Sequence, residues 1–450
     1  MIDEEPVGAS RSSRRRWRSI YTALLVLVLG YFAYRGPYRC FTRGCPDLPV
    51  FYASGIAWVS GENPYDAAIL NRILLQHEGA SHPRSQMLIN PPCSLPWFSL
   101  LSFSSYAVAN VMVVFVNLLF VPAIAWMLLR LFVDQALTGW RRAIFVLFVL
   151  SWAPLHTSVS QGQNTLLAMA ILLGGVGLVQ CRRQYLAGVV FAAGCMVRPS
   201  FFVVMIVWYL FDIRRYVRLG GSAIIIAFSV SVIAVVQLER ADVPWQKSLS
   251  GNIEAFSGDG YGLYGEGTGS ISPDRPTRFI MLNLQPLLST WWGRGPLTNY
   301  APLAIVGAGV AVAWWLHRRR VNGQTQNKME LIDLSILCVL TLLPVYNRFY
   351  SAVLLLVPLA WALAAWHCPR CRWFARAITL ALMVFLIPGT AMMLRLLPME
   401  TLQSWWMNAI FLPHQIYCII FVLVLLFLAS ARMSSMAGTT HSRSLPLCEL

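Results

Sequence analysis

Arg14-Arg15-Arg16-Trp17-Arg18, followed by Ser19-Ile20-Tyr21-Thr22-Ala23-Leu24-Leu25-Val26-Leu27-Val28-Leu29-Gly30-Tyr31-Phe32-Ala33-Tyr34, is the stretch on which the fold turns. A basic cluster precedes an apolar run that carries no charge. Two readings compete, a cleaved secretory leader and a first membrane span. No small-residue cleavage site follows Tyr31-Phe32-Ala33-Tyr34, so the run reads as an uncleaved span. Its arginines place the N-terminal segment, with the cluster Arg11 to Arg18, in the cytoplasm.

The same pattern recurs along the chain. Candidate spans are 19–34, 106–131, 143–158, 165–180, 185–197, 200–213, 220–238, 299–316, 329–346, 351–366, 374–397 and 409–431. A straight crossing needs about 20 apolar residues, and fewer serve where the bilayer thins or a segment is re-entrant. If every candidate crosses, each cytoplasmic loop carries a basic cluster: Arg141-Arg142, Arg182-Arg183, Arg214-Arg215-Arg218, Arg318-Arg319-Arg320 and Arg370-Arg372-Arg376. Segments 185–197 and 200–213 are short and parted only by Arg198-Pro199. They either cross or form a hairpin dipping from the cytoplasmic side, and the parity is the same.

The expected fold is therefore an all-α polytopic membrane protein of about twelve transmembrane helices. It has a cytoplasmic N-terminal tail (1–18), a transmembrane domain (19–431) and a cytoplasmic C-terminal tail (432–450). Composition agrees. Of 450 residues, 57% are hydrophobic and only 12% charged, about half the roughly 25% of soluble domains. The net charge of +16 suggests nucleic acid by its sign alone. Its confinement to short clusters between apolar runs argues against that partner and points to membrane lipids. No Walker motif, dinucleotide fingerprint or His-Glu-x-x-His pattern occurs.

Two long polar segments, 35–94 and 239–298, fall outside. In the first, Asn63-Pro64-Tyr65 reads as an N-cap with proline at the first helical position, for a helix from Pro64 to about Gln76. Asp47 can cap a second short helix through about Ser60. Such helices can lie along the membrane surface. The second segment is glycine-rich from Gly258 to Gly269, a pattern of mobility. Cys40 and Cys45 lie in the first loop, where a disulfide is possible but not required. Cys368-Pro-Arg-Cys371 reads as two reduced thiols, since one CxxC without a second pair is a weak metal signal.

Candidate chemistry concentrates near the outer ends of the spans. Asp47 follows an outward span, where a carboxylate can take a proton from a sugar hydroxyl. The competing reading is a helix cap. Arg198, close to an apolar run, is either functional or a snorkelling residue. Arg348 in the outer turn Tyr346-Asn347-Arg348-Phe349-Tyr350 suits phosphate, or serves as an interfacial anchor. Gln163 and Asn164, in the turn Gln161-Gly162-Gln163-Asn164, suit sugar hydroxyls or satisfy a tight turn.

The ordered series Asp47-Leu-Pro-Val-Phe-Tyr-Ala-Ser-Gly, Gly61-Glu-Asn-Pro-Tyr-Asp66, Pro91-Pro92, Gly162-Gln163-Asn164 and Leu186-Ala187-Gly188 through Arg198-Pro199 resembles the polyprenyl-phosphate-dependent glycosyltransferases of family 87, membrane enzymes of the GT-C class. The resemblance runs from about Asp47 to Tyr350. It implies a GT-C-like bundle in a bacterial cytoplasmic membrane, with the active site facing outward. It further implies a sugar donor on polyprenyl phosphate, mannose being the family's commonest association, and a glycolipid or glycan acceptor. Asp47 would be the general base. Asn63, Tyr65, Gln163, Asn164, Arg198, Asn347 and Arg348 would meet substrate. Phosphate is already a good leaving group, so the implied chemistry needs no metal and no cofactor, and it inverts the anomeric centre. The loop 239–298 could close over the site. Family members often have Tyr-Pro-Pro where this chain has Asn90-Pro91-Pro92, and histidine where it has Asn347. The competing class is a transporter or lipid flippase, which places polar groups at the midplane; here they gather in the outer loops.

Overall fold

The computed structural model describes residues 11–78, 87–133, 139–210, 213–257, 276–293, 295–321, 331–344 and 347–437. Among these residues the regular structure is helical, and the one pairing of extended backbone is an isolated antiparallel bridge between Met281 and Arg348.

Among the described residues, six helices are long and apolar enough to cross a membrane: Ser19–Thr42, Tyr106–Leu131, Tyr216–Arg240, Pro296–Arg320, Phe349–His367 and Met407–Ser434. Two bent pairs raise the number to eight. Arg142–Ser151 joins Ala153–Gln161 at 46°, and Arg372–Leu386 joins Gly389–Leu396 at 41°. The twelve expected spans therefore do not all appear as full-length crossings. Segments 165–180, 185–197, 200–213 and 329–346 fold as Thr165–Gln180, Gln184–Val197, Pro199–Leu210 and Leu331–Leu342. At 1.5 Å per residue, 14- and 12-residue helices reach about 21 and 18 Å, short of the ~30 Å hydrocarbon core.

The first bend has a legible cause. Pro154 has no N–H to give the Leu150 carbonyl, and the His156 ring nitrogen Nε2 lies 2.6 Å from that oxygen in its place. Trp152, at the elbow, donates through Nε1 to the Ala352 carbonyl at 3.1 Å. That bond ties the bent pair to the Phe349–His367 span, which is 89% buried and so sits inside the bundle rather than against lipid. By contrast Ile224, Ile225, Phe228 and Ile233 on Tyr216–Arg240 are exposed, as a lipid-facing helix requires.

The helices define two ends. Asp47, Gln163, Arg198 and Arg348 lie at one. Helix direction puts Arg142, Arg182, Arg183, Arg218, Arg318 to Arg320 and Arg370 to Arg376 at the other. Gln184–Val197 rises from the basic end to Arg198, and Pro199–Leu210 returns. Near its far end Trp208 packs 5.2 Å from His317, beside the Arg320–Asp333 ion pair. The pair is thus a hairpin whose tip is Arg198-Pro199.

The first polar loop folds into a small core of its own, with Phe51, Leu70, Ile73, Leu95, Phe98 and Leu238 packed together. The helix Leu48–Val59 is largely buried. Gly55 permits this packing: a Cβ there would stand 2.4 Å from the Phe98 carbonyl oxygen. The second loop helix runs Ala67–Glu78, not from Pro64. Its cap is Asp66, whose Oδ1 accepts from the Ala68 N–H at 2.8 Å. Asn63 instead turns the chain, its Oδ1 accepting from the Tyr65 N–H at 3.0 Å. The stretch Gly258 to Gly269 lies outside the described residues.

Candidate active site

Two local devices place Asp47. Cys40 and Cys45 are disulfide-bonded, closing the chain just before it. The Asp47 N–H then donates to the Gln161 carbonyl at 3.2 Å, stitching it to the end of Ala153–Gln161. That helix ends with Gly162 at φ +68°, with the Gly162 and Gln163 N–H groups returning to the Val159 and Ser158 carbonyls at 3.2 and 3.0 Å. Glycine is the residue for this left-handed position. A Cβ on Gly162 would also stand 2.8 Å from the Cys45 Cβ. Gly162→Ala is therefore expected to destabilise the protein by about 1–3 kcal/mol and to reduce activity by displacing Asp47. A thermal melt of the purified variant, with activity measured below its transition, checks both.

Asp47 precedes the helix Leu48–Val59, but its side chain makes no capping bond to it. The carboxylate is met by Gln163, whose Nε2 donates to Oδ2. The Gln163 Oε1 accepts from Arg198 Nη1 at 3.4 Å. Each end of the amide thus faces the group of matching polarity. Burial pushes the Asp47 carboxyl above the usual aspartate range, while Arg348, the Gln163 hydrogen bond and Arg198 pull it back down.

Arg198 sits at the hairpin tip with extended backbone, φ −156° and ψ 84°, as a residue before proline prefers. Its Nη1 donates to Thr165 Oγ1 and its Nη2 to Ser351 Oγ, both at 2.8 Å. Phe201 and Tyr350 lie with ring centroids 5.0 Å from the guanidinium carbon. Its buried Nε–H finds no acceptor among the described residues. The Arg348 backbone is paired with Met281, and the Leu282 N–H donates to the Asn347 carbonyl at 2.6 Å. Part of the second polar loop thereby returns beside the site.

Asp47, Gln163, Arg198 and Arg348 are thus brought together. Asn63, Tyr65 and Asn347 have their side chains engaged elsewhere. Asn63 Nδ2 donates to Ser248 Oγ at 2.9 Å, and the Tyr65 hydroxyl donates to the Asn90 carbonyl at 3.0 Å. Asn252 Nδ2 donates to the Tyr65 carbonyl at 2.8 Å. These bonds fasten the first loop to the helix Trp245–Ser257. Asn347 is fully buried and its Nδ2 donates to the Thr341 carbonyl at 3.1 Å, closing the end of Leu331–Leu342. Asn164 stands at the start of Thr165–Gln180, its carbonyl accepting from the Ala168 N–H. Sequence reasoning passed over Thr165, Tyr350 and Ser351, which hold Arg198.

Fold and site together define an integral membrane protein with a carboxylate and guanidinium groups gathered at one end of a helical bundle. The model of glycosyltransferase family 87 matches residues 88–345, more than half of the chain, and the chain belongs to that family. It is therefore a membrane glycosyltransferase, which requires a sugar donor and an acceptor. Gln163, Asn164 and Arg198 fall within the matched residues; Asp47, Asn63, Tyr65, Asn347 and Arg348 fall outside them. No curated protein and no solved structure matches the chain.

Proposed function

We propose that this glycosyltransferase moves a sugar from a polyprenyl-phosphate donor to the hydroxyl of a glycan or glycolipid, with Asp47 as general base. The observation that carries the reading is the carboxylate of Asp47. It occupies a capping position yet leaves its helix uncapped, and faces Gln163 beside two arginines. A base needs that freedom. Arg198 suits the donor phosphate, because its Nε–H is still available after Thr165 and Ser351 have fixed its other two nitrogens. Arg348 shares that charge. Phosphate leaves without protonation, so the chain has three tasks: hold the acceptor opposite the phosphate, take its proton, and stabilise the departing charge. Displacement from the opposite face inverts the anomeric centre. Mannose is the sugar the family suggests.

The basic end faces the cytoplasm by the positive-inside rule, so Asp47 faces away from it. The helix Thr165–Gln180 links the two ends, and its 16 residues measure about 24 Å. Set against a ~30 Å core, this sinks the site slightly below the far surface. A lipid-borne phosphate suits that depth. With the six to eight full spans, the short apolar helices are consistent with a twelve-segment GT-C-like bundle. Nothing in the fold or the comparisons supports transport.

The test is direct. Purified protein in lipid nanodiscs is offered a polyprenyl-phosphate sugar or a nucleotide sugar, and the product's anomeric configuration is read by NMR. Transfer from the lipid donor with inversion is expected. Transfer from the nucleotide sugar alone, or retention, overturns the reading.

A further inference from the structure

The end of the bundle away from Asp47 holds a cavity of about 480 Å³, lined among others by Arg182, Arg183, Tyr185, Leu186, Tyr216 and Arg218. That volume is in the range of ligand pockets. Three arginines line it, and none of its described lining residues is acidic.

The walls are built rather than incidental. Thr165–Gln180 ends in a reversal in which the Arg182 and Arg183 N–H groups donate to the Val179 and Leu178 carbonyls at 3.0 and 2.9 Å. Arg182 takes φ +59° at the position where glycine is usual. A side-chain-bearing residue is held there against its backbone preference. The opposite wall comes from Ile213–Arg240. Gly188 lets that helix approach so closely that a Cβ would stand 2.4 Å from the Leu219 carbonyl oxygen. Ser222 Oγ donates to the Tyr185 carbonyl at 3.1 Å, and the Arg218 guanidinium carbon lies 5.7 Å from the Tyr185 ring centroid. Leu186 in the lining is exposed, and Val189 and Val217, on the two helices that form the walls, are exposed as well, an apolar surface for acyl chains.

We propose that this cavity binds the phosphate headgroup of an anionic membrane phospholipid. The three arginines supply paired donors and fixed charge for phosphate. The apolar surface selects a lipid over a soluble anion, because a free phosphate gains nothing from it. Basic pockets between helices at a membrane face take anionic headgroups on these grounds. The site is separate from Asp47 and stands whether or not the transfer reaction is as proposed.

Native mass spectrometry of the detergent-purified full chain, titrated with phosphatidylglycerol or phosphatidylcholine, tests it. Wild type should favour phosphatidylglycerol. The triple variant Arg182→Gln, Arg183→Gln, Arg218→Gln should bind it on the order of a hundredfold more weakly, since each arginine contributes about a factor of five. A triple variant of equal charge change at the same end, Arg318→Gln, Arg319→Gln, Arg372→Gln, should stay near wild type. If the first triple variant fails to fold, the exposed single change Arg218→Gln should weaken binding roughly fivefold. Equal loss in both triple variants, an unchanged Arg218→Gln, or equal binding of the two lipids overturns the proposal. Displacement of phosphatidylglycerol by inorganic phosphate at comparable affinity overturns the lipid assignment in favour of a soluble anion.

Discussion

Asp47→Asn is expected to leave the protein folded in the membrane while lowering sugar transfer by about 100- to 10,000-fold, the usual worth of a positioned general base. The substitution keeps the size and planarity of the side chain. The Cys40–Cys45 disulfide and the bond from the Asp47 N–H to the Gln161 carbonyl do not depend on the carboxylate. What is lost is the basic lone pair and the negative charge that faces Arg348 and Arg198. A thermal melt close to wild type, with transfer abolished, is the expected pair of results; normal transfer by this variant would sink the assignment of the base. The pH profile gives an independent reading. Burial raises the Asp47 pKa, and Arg348 is the foremost influence lowering it. The active form is the carboxylate, so activity rises with pH through that pKa. The acid limb should thus lie above the ordinary aspartate value of about 3.9. Arg348→Gln removes the opposing charge and should move the limb to still higher pH. A limb that stays in place in that variant would show that the titrating group is not Asp47.

The membrane fold was legible because lipid imposes it. Apolar runs and arginine clusters alternate in such a chain, and the clusters at Arg182-Arg183, Arg318 to Arg320 and Arg370 to Arg376 come together at one end of the bundle. Hydropathy, however, weighs residues and not bends. Pro154 was in plain view, yet the elbow there also needed His156 to meet the Leu150 carbonyl, a contact that spacing alone does not announce. Segments 185–197 and 200–213 were open to two readings, crossing or dipping, and they fold as two short helices that turn back at Arg198-Pro199. At the site, sequence order brought Asp47 and Arg198 to notice but left each with a structural alternative. What told against the cap was the direction of one carboxylate, turned toward Gln163, 116 residues further on. Asn63 and Asn347 looked alike from sequence, polar residues in turns. Tertiary packing sends the first to Ser248 and the second to a helix end. Thr165 and Ser351 were hidden for the opposite reason. Both lie at the first turn of apolar runs, where a hydroxyl reads as tolerated, whereas a hydroxyl beside a turn motif is placed to serve a neighbour.

Arg198→Lys is the second change with a large expected effect, a fall in transfer of at least about 100-fold, with the donor's KM rising. The charge is kept, so any loss reports geometry. Arginine here divides its work: Nη1 goes to Thr165 and Gln163, Nη2 to Ser351, and the plane lies near the rings of Phe201 and Tyr350. That leaves Nε–H for a ligand. A lysine ammonium is one compact point and cannot span both hydroxyls and a phosphate together. The double variant Thr165→Val, Ser351→Ala separates holding from binding. It keeps the guanidinium and removes two hydrogen bonds worth about 0.5–1.5 kcal/mol each, so a loss of roughly tenfold is expected, smaller than that of Arg198→Lys. Two other orders are informative. If lysine transfers sugar as well as arginine, Arg198 only balances the charge of Asp47, and the donor phosphate belongs to Arg348. If the double variant loses as much as Arg198→Lys, the orientation of the guanidinium matters more than its presence, and the hydroxyls of Thr165 and Ser351 are as necessary to the reaction as the arginine they hold.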